Sequence, residues 1–225
     1  MKLFRDIGHI LVKEAINEWR TRETLSSMAV FGALVLIVFN FAFPPGAVDF
    51  RLLAPGILWV AFIFSGILGM NRSMAQEKEE GCLQGLLLTP ADRGALFLGK
   101  MLSNFIFLTA IETIIFVIFA LFFNVSFFQG LGGIALITLL GSFGFITLGT
   151  LFATIAVQTR FQEVLLPILL IPLVAPVLIG AVKCTGGLLA GKSLSDLAFW
   201  LKFLATFDAT FLIASFLAFE YVVQE

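Results

Sequence analysis

The chain has 225 residues, of which 60% are hydrophobic and 13% charged, with a mean hydropathy of +1.05; a soluble domain is nearer half apolar and a quarter charged. No single soluble core encloses that much apolar surface, so composition places the chain in a membrane and excludes a soluble enzyme, a disordered chain and a nucleic-acid binder. A net charge of −1 gives no excess for a polyanion. One histidine, His9, and two distant cysteines, Cys82 and Cys184, exclude a zinc or haem site built from several histidines of this chain.

Residues 1–24 predict an amphipathic helix lying on the inner membrane surface. Phe4, Ile7, Leu11 and Ala15 recur at helical spacing, with Leu3, Ile10 and Trp19 near the same side. Arg5, Lys13, Glu14, Glu18 and Arg20 occupy much of the rest. Six apolar runs follow: Leu25–Phe43, Leu52–Met70, Ala95–Phe123, Leu131–Val157, Val164–Val182 and Leu197–Phe219. The first has 19 residues and no charge, about 28 Å as a helix, enough to cross the hydrocarbon. The runs are continuous rather than alternating, so the expected fold is all-α with six transmembrane helices over 25–225.

Six spans put both termini on one side. With the N-terminus inside, the inner segments hold Lys2, Arg5, Lys13, Arg20, Arg22, Arg72, Lys78, Arg93, Lys100 and Arg160. The outer ones hold Arg51, Lys183, Lys192 and Lys202. Ten against four makes both termini cytoplasmic. No cleavable signal peptide is visible, because the first strong apolar run begins only at Leu25.

The longest polar interruption, 71–94, predicts two short helical elements with a break, the second running into the third span. Glu77, Glu79 and Glu80 with Arg72 and Lys78 make a charged stretch. Leu83, Leu86 and Leu87 give an apolar face, and Thr89, Pro90 and Asp92 a helix start. An apolar centre with a charged rim is the anatomy of a protein contact. On the outer side, Pro44-Pro45-Gly46 reads as a turn, and Lys183–Asp196 as flexible or partly re-entrant.

Gly94–Met101 matches most of a P-loop but has Met101 in place of the magnesium-binding hydroxyl, and no strand precedes it. The expectation is therefore no nucleotide site in this chain, ATPase activity residing in a partner, and Lys100 snorkelling to the interface. Glu112 and Asp208 lie about halfway along the third and sixth spans. Each is a candidate intramembrane polar site, read either as part of a transport path or, preferably, as an inter-helix or inter-subunit hydrogen bond. Pro167, Pro172 and Pro176 bend the fifth span. No nucleophile–base grouping suggests hydrolytic chemistry.

The stretch Glu77-Lys-Glu-Glu-Gly-Cys-Leu-Gln-Gly-Leu-Leu-Leu-Thr-Pro90, with Gly99-Lys100 after it, resembles the inner-loop signature of ABC-2-type transporter permeases. Arg51-Leu-Leu-Ala-Pro-Gly-Ile-Leu-Trp-Val60 and the proline-rich stretch Leu165–Leu178 narrow the resemblance to the CcmB family, the haem-exporter permeases of bacterial cytochrome c maturation. The resemblance implies a multi-pass protein of the bacterial inner membrane. Two copies would pair with two CcmA-type ATPases and join CcmC- and CcmD-like membrane proteins among the membrane lipids. ATP hydrolysis in the partner would drive haem export or release of the haem-loaded periplasmic chaperone CcmE. Haem enters as a handled ligand rather than a cofactor of this chain. The partner-ATPase contact expected on this reading is Glu77, Glu79, Glu80, Leu83, Leu86 and Leu87. A poverty of haem ligands favours transmission of mechanical work over haem conduction. The alternatives are an ABC-2-type exporter of a lipid, glycan or drug, and a non-transporting assembly scaffold.

Overall fold

The computed structural model describes residues 2–43, 50–79, 93–123, 131–159 and 161–222. Among them the chain forms α1 (Lys2–Thr21), α2 (Glu23–Ala42), α3 (Phe50–Glu79), α4 (Arg93–Phe123), α5 (Leu131–Val157), α6 (Gln162–Leu189) and α7 (Ala198–Val222). The six helices α2–α7 are each long and apolar enough to cross a membrane. The fold is all-α, with no strand among the described residues.

The bundle is built around α3 and α5. Buried residues make up 67% of the apolar window of α3 and 50% of that of α5, against 17% for α2 and for α7. α2 and α6 pack on α3, while α6 and α7 pack on α5. Close approach at the centre depends on glycine. A Cβ at Gly141 of α5 would collide with the Trp59 ring of α3, and one at Gly149 with the Met70 side chain. The Trp59 indole also donates to Thr185 Oγ1 of α6 at 3.0 Å, tying the three helices together. Gly141→Val should therefore force α3 and α5 apart and cost about 1–3 kcal/mol. Heating the detergent-solubilised protein should show earlier loss of monodispersity than in wild type, whereas Gly132→Ala, which meets nothing, should be neutral.

Two boundaries differ from the sequence expectation. No break follows Met70: α3 continues to Glu79, so the first of the two expected loop helices is the end of the second span itself. Ser73, Met74, Gln76 and Glu77 stay buried along it, so packing carries the helix onward. At the other end, Lys183–Leu189 is helical rather than re-entrant. α6 ends at Leu189, and two residues on Gly191 takes a left-handed φ of +80°. Lys192 N–H then donates to Gly187 O at 3.0 Å and Gly191 N–H to Leu188 O at 2.9 Å, the paired bonds that close a helix C-terminus. α6 also passes unbroken through Pro167, Pro172 and Pro176.

The amphipathic helix α1 divides its non-polar sector in two. Ile7, Ile10, Glu14 and Glu18 face the bundle, with Ile10 against Gly99 of α4. Phe4, Val12, Ile16 and Trp19 remain exposed, and His9 and Arg20 lie beyond them. The exposed apolar sector is the part suited to a membrane interface.

Candidate functional site

Four charges meet where α1, the end of α3 and the start of α4 converge. Lys13 Nζ lies 2.6 Å from Glu77 Oε1 and 3.0 Å from Glu14 Oε1. Lys100 Nζ lies 2.9 Å from Glu77 Oε1 and 3.2 Å from Glu14 Oε2. Lys100 also donates to Ser73 Oγ at 3.2 Å. Glu14, Glu77 and Lys100 are buried, and Lys13 is half-buried. Two ammonium groups and two carboxylates sum to zero charge, the condition under which such groups tolerate removal from water. Burial opposes the charge on Lys13. The Glu77 and Glu14 carboxylates outweigh it and hold the ammonium above the ordinary lysine value. A raised folded pKa stabilises fully below the ordinary value and loses its effect only as the pH climbs through the folded one. Docking of α1 through Lys13 is thus constant across the neutral range.

Further contacts brace the same end. Arg22, with φ 55°, forms the elbow between α1 and α2. Glu18 of α1 accepts from the Leu25 N–H at 2.8 Å, placing a carboxylate on the otherwise unpaired N-terminus of α2. Arg72 of α3 pairs with Glu23 of α2, its Nε donating at 3.0 Å. Lys78 donates to Val157 O, the last residue of α5, at 2.5 Å. The two stems of the 80–92 segment, α3 and α4, are therefore joined to α1, α2 and α5 by charge-assisted bonds.

The structure changes the reading of two residues. Glu77, expected on a partner-facing rim, points inward and is 3% exposed; its partners belong to this chain. Lys100, expected to snorkel, is 2% exposed and bound by two carboxylates. The glycine-flanked stretch around it is helical as part of α4 rather than a phosphate-cradling loop. Glu79 is exposed at the tip of α3. Glu80, Leu83, Leu86, Leu87, Thr89 and Asp92 lie outside the described residues.

The two intramembrane acids stand on opposite sides of α5. The Ser142 hydroxyl of α5 donates to Glu112 Oε1, while Glu112 Oε2 is buried without a hydrogen-bond partner. Asp208 of α7 lies against Gly144 of α5, where an added Cβ would collide with its Oδ1, and neither carboxylate oxygen has a partner. Asp208→Asn keeps this shape and exchanges one unpartnered polar group for another, so it should leave both the protein level and its activity in cells within about twofold of wild type. Immunoblotting beside an activity assay checks it. Among the described residues no group of three or more His, Cys, Asp or Glu could hold a metal ion.

Six helices long and apolar enough to cross a membrane, an amphipathic helix packed against them and a neutral ion cluster that locks them together at one end define a polytopic all-helical membrane protein. Comparison with known proteins narrows that class. A family model described as CcmB protein matches residues 5–224, and the chain belongs to that family. It is similar to "Heme exporter protein B" of Pseudomonas aeruginosa, 28% identical over 208 residues, covering 89% of this chain and 90% of that protein. It is also similar to "Heme exporter protein B" of Escherichia coli, 30% identical over 74 residues, covering 33% of this chain and 34% of that protein.

Proposed function

We propose that this chain is the permease subunit of an ABC transporter complex in the bacterial inner membrane that serves cytochrome c maturation. ATP hydrolysis takes place on a CcmA-type partner. This chain, paired with a second copy of itself and with CcmC- and CcmD-like proteins, turns it into haem export or into release of the haem-loaded chaperone CcmE. The observation that carries the reading is the buried Lys13–Glu14–Glu77–Lys100 cluster. A stroke delivered to a loop is useful only if both stems of that loop move as one body with the membrane helices. The cluster fastens those stems to α1, and Lys78 and Arg72 extend the bracing to α5 and α2.

On this reading the segment 80–92, with Glu79 and Glu80 at its edge and Leu83, Leu86 and Leu87 at its centre, rests on the ATPase. The end of the bundle that carries the cluster faces the cytoplasm, as do both termini. Haem specificity is supported by the names of the relatives and by membership of the family. Deleting the gene should abolish c-type cytochromes while sparing b-type ones, and restoring this chain should recover them. Normal c-type cytochrome in the deletion strain would refute the assignment. Reporter fusions at Glu225 and within 183–196 should lie on opposite sides of the membrane; the same side for both would sink the six-span orientation.

A further inference from the structure

The outward side of α1 is apolar and basic, with no exposed acid. Phe4 and Trp19 are 79% and 78% exposed, and Val12 and Ile16 are exposed with them. Arg5, His9 and Arg20 are exposed beside this sector. Their spacings of four and eleven residues put them on one side of a helix with 3.6 residues per turn. The three acids of α1 turn the other way: Glu14 and Glu18 are buried against the bundle and Asp6 is half-buried. Asp6 lies 4.0 Å from Arg5 Nε, yet the Arg5 side chain stays 69% exposed. At the elbow, the exposed Arg22 guanidinium stands 5.8 Å from the centre of the Trp19 ring. Glu23, the next acid along the chain, is paired with Arg72. We propose that this face of α1 binds anionic phospholipid headgroups, its apolar sector entering the acyl boundary and Arg5, Arg20 and Arg22 meeting the phosphates.

Two lengths place α1 at headgroup depth. α2 has 20 residues, Glu23 to Ala42, about 30 Å, which matches the hydrocarbon thickness and leaves nothing to spare. Trp19 and Arg22, just before it, therefore sit at the boundary. From Met101 to Phe123, α4 runs 23 residues, about 35 Å, so Lys100 sits at the same boundary. Lys100 holds Glu14 of α1 at 3.2 Å, and Ile10 lies against Gly99. The middle and the end of α1 are thus at one depth, and the helix lies along the membrane plane.

The composition of the face selects the partner. An acidic protein or a nucleic acid matches the arginines but offers no apolar layer to Phe4, Val12, Ile16 and Trp19. A zwitterionic leaflet accepts the apolar side chains but gives the guanidinium groups no net countercharge. A leaflet with anionic headgroups answers both, and basic residues beside a membrane add to its attraction one by one. The binding does not depend on the orientation or activity proposed above, which decide only that the leaflet is the cytoplasmic one.

The test is photolabelling of the assembled complex in phosphatidylcholine nanodiscs that contain a trace of either phosphatidylglycerol or phosphatidylcholine with a diazirine in its acyl chain, mapped by peptide mass spectrometry. The phosphatidylglycerol probe should label α1 about fivefold or more above the phosphatidylcholine probe. Both should label Ile114 and Val117 alike, since these are exposed on α4 and no basic residue follows Lys100 in that helix. Arg5→Gln with Arg20→Gln should bring the α1 ratio close to one at unchanged complex yield, whereas Arg5→Lys with Arg20→Lys should keep it. Salt at about 0.5 M should lower the wild-type ratio. The proposal is overturned by equal labelling of wild-type α1 with the two probes, which decides the matter even where the glutamine variant fails to assemble. It is overturned equally by an undiminished ratio in an assembled glutamine variant, or by absence of label on α1 from either probe because another subunit or an acidic protein covers it. Cytochrome yield does not enter the readout, so failure of the proposed transport role leaves this test standing.

Discussion

Lys100→Met should leave the chain poorly inserted or rapidly degraded, and adding Glu77→Gln should restore it. Removing one member of a buried, neutral ion cluster leaves a carboxylate uncompensated in a low-dielectric site, at a cost of about 3–5 kcal/mol. Such a loss is comparable with the whole stability of many domains. Lys100 binds both Glu77 and Glu14, so its removal strips one cation from each. Lys13, half-exposed, cannot neutralise both alone. In the double variant, one lysine and one glutamate remain and the sum returns to zero. The amide introduced by Glu77→Gln still donates and accepts. Protein abundance by immunoblot, with protease resistance of the membrane-inserted chain, reads the effect. The ordering should be wild type, then the double variant, then Lys100→Met or Glu77→Leu alone. If the single variants match wild type, the cluster does not hold α1 to the stems of the loop.

Hydropathy was sufficient for the six spans, because a helix that crosses hydrocarbon must be apolar along its whole length and can satisfy its backbone only internally. The ends were less legible. The Asn71–Glu79 stretch carries enough polar residues to read as a loop. Lys100 and Lys13, distant in sequence, neutralise Glu77 and let α3 continue as a buried helix. That pairing has a separation of 64 residues on one side, and no periodicity within one helix reveals it. One signal was present. Glu14 and Glu18, assigned by charge to the polar side, in fact lie one turn apart on the same side of α1 as Ile7 and Ile10, and acids on an apolar face ask for buried partners. For Glu112, depth in the span marked the residue, whereas its hydrogen bond comes from Ser142 of α5, thirty positions away.

Leu86→Asp should uncouple the transporter. Segment 80–92 is proposed as the surface that meets the ATPase, and its leucines as the anchors that enter the partner. Central apolar anchors carry most of the energy of such a contact, about 2 kcal/mol or more each. Placing a carboxylate in that position adds a desolvation cost. Glu79 at the rim is exposed, so Glu79→Ala should change mainly the salt dependence of assembly. On that proposal, the mechanical chain runs from the leucines through the stems of α3 and α4 to the ion cluster, and from there to α1. Since Leu86 is not one of the four residues of the cluster, its replacement should spare insertion and abundance, unlike Lys100→Met. The decisive measurement is affinity co-purification of the ATPase with the Leu86→Asp chain from membranes in which that chain is present at wild-type level. The account predicts that the ATPase is lost from the complex by about tenfold or more, together with c-type cytochrome. Full retention of the ATPase with undiminished cytochrome would contradict it.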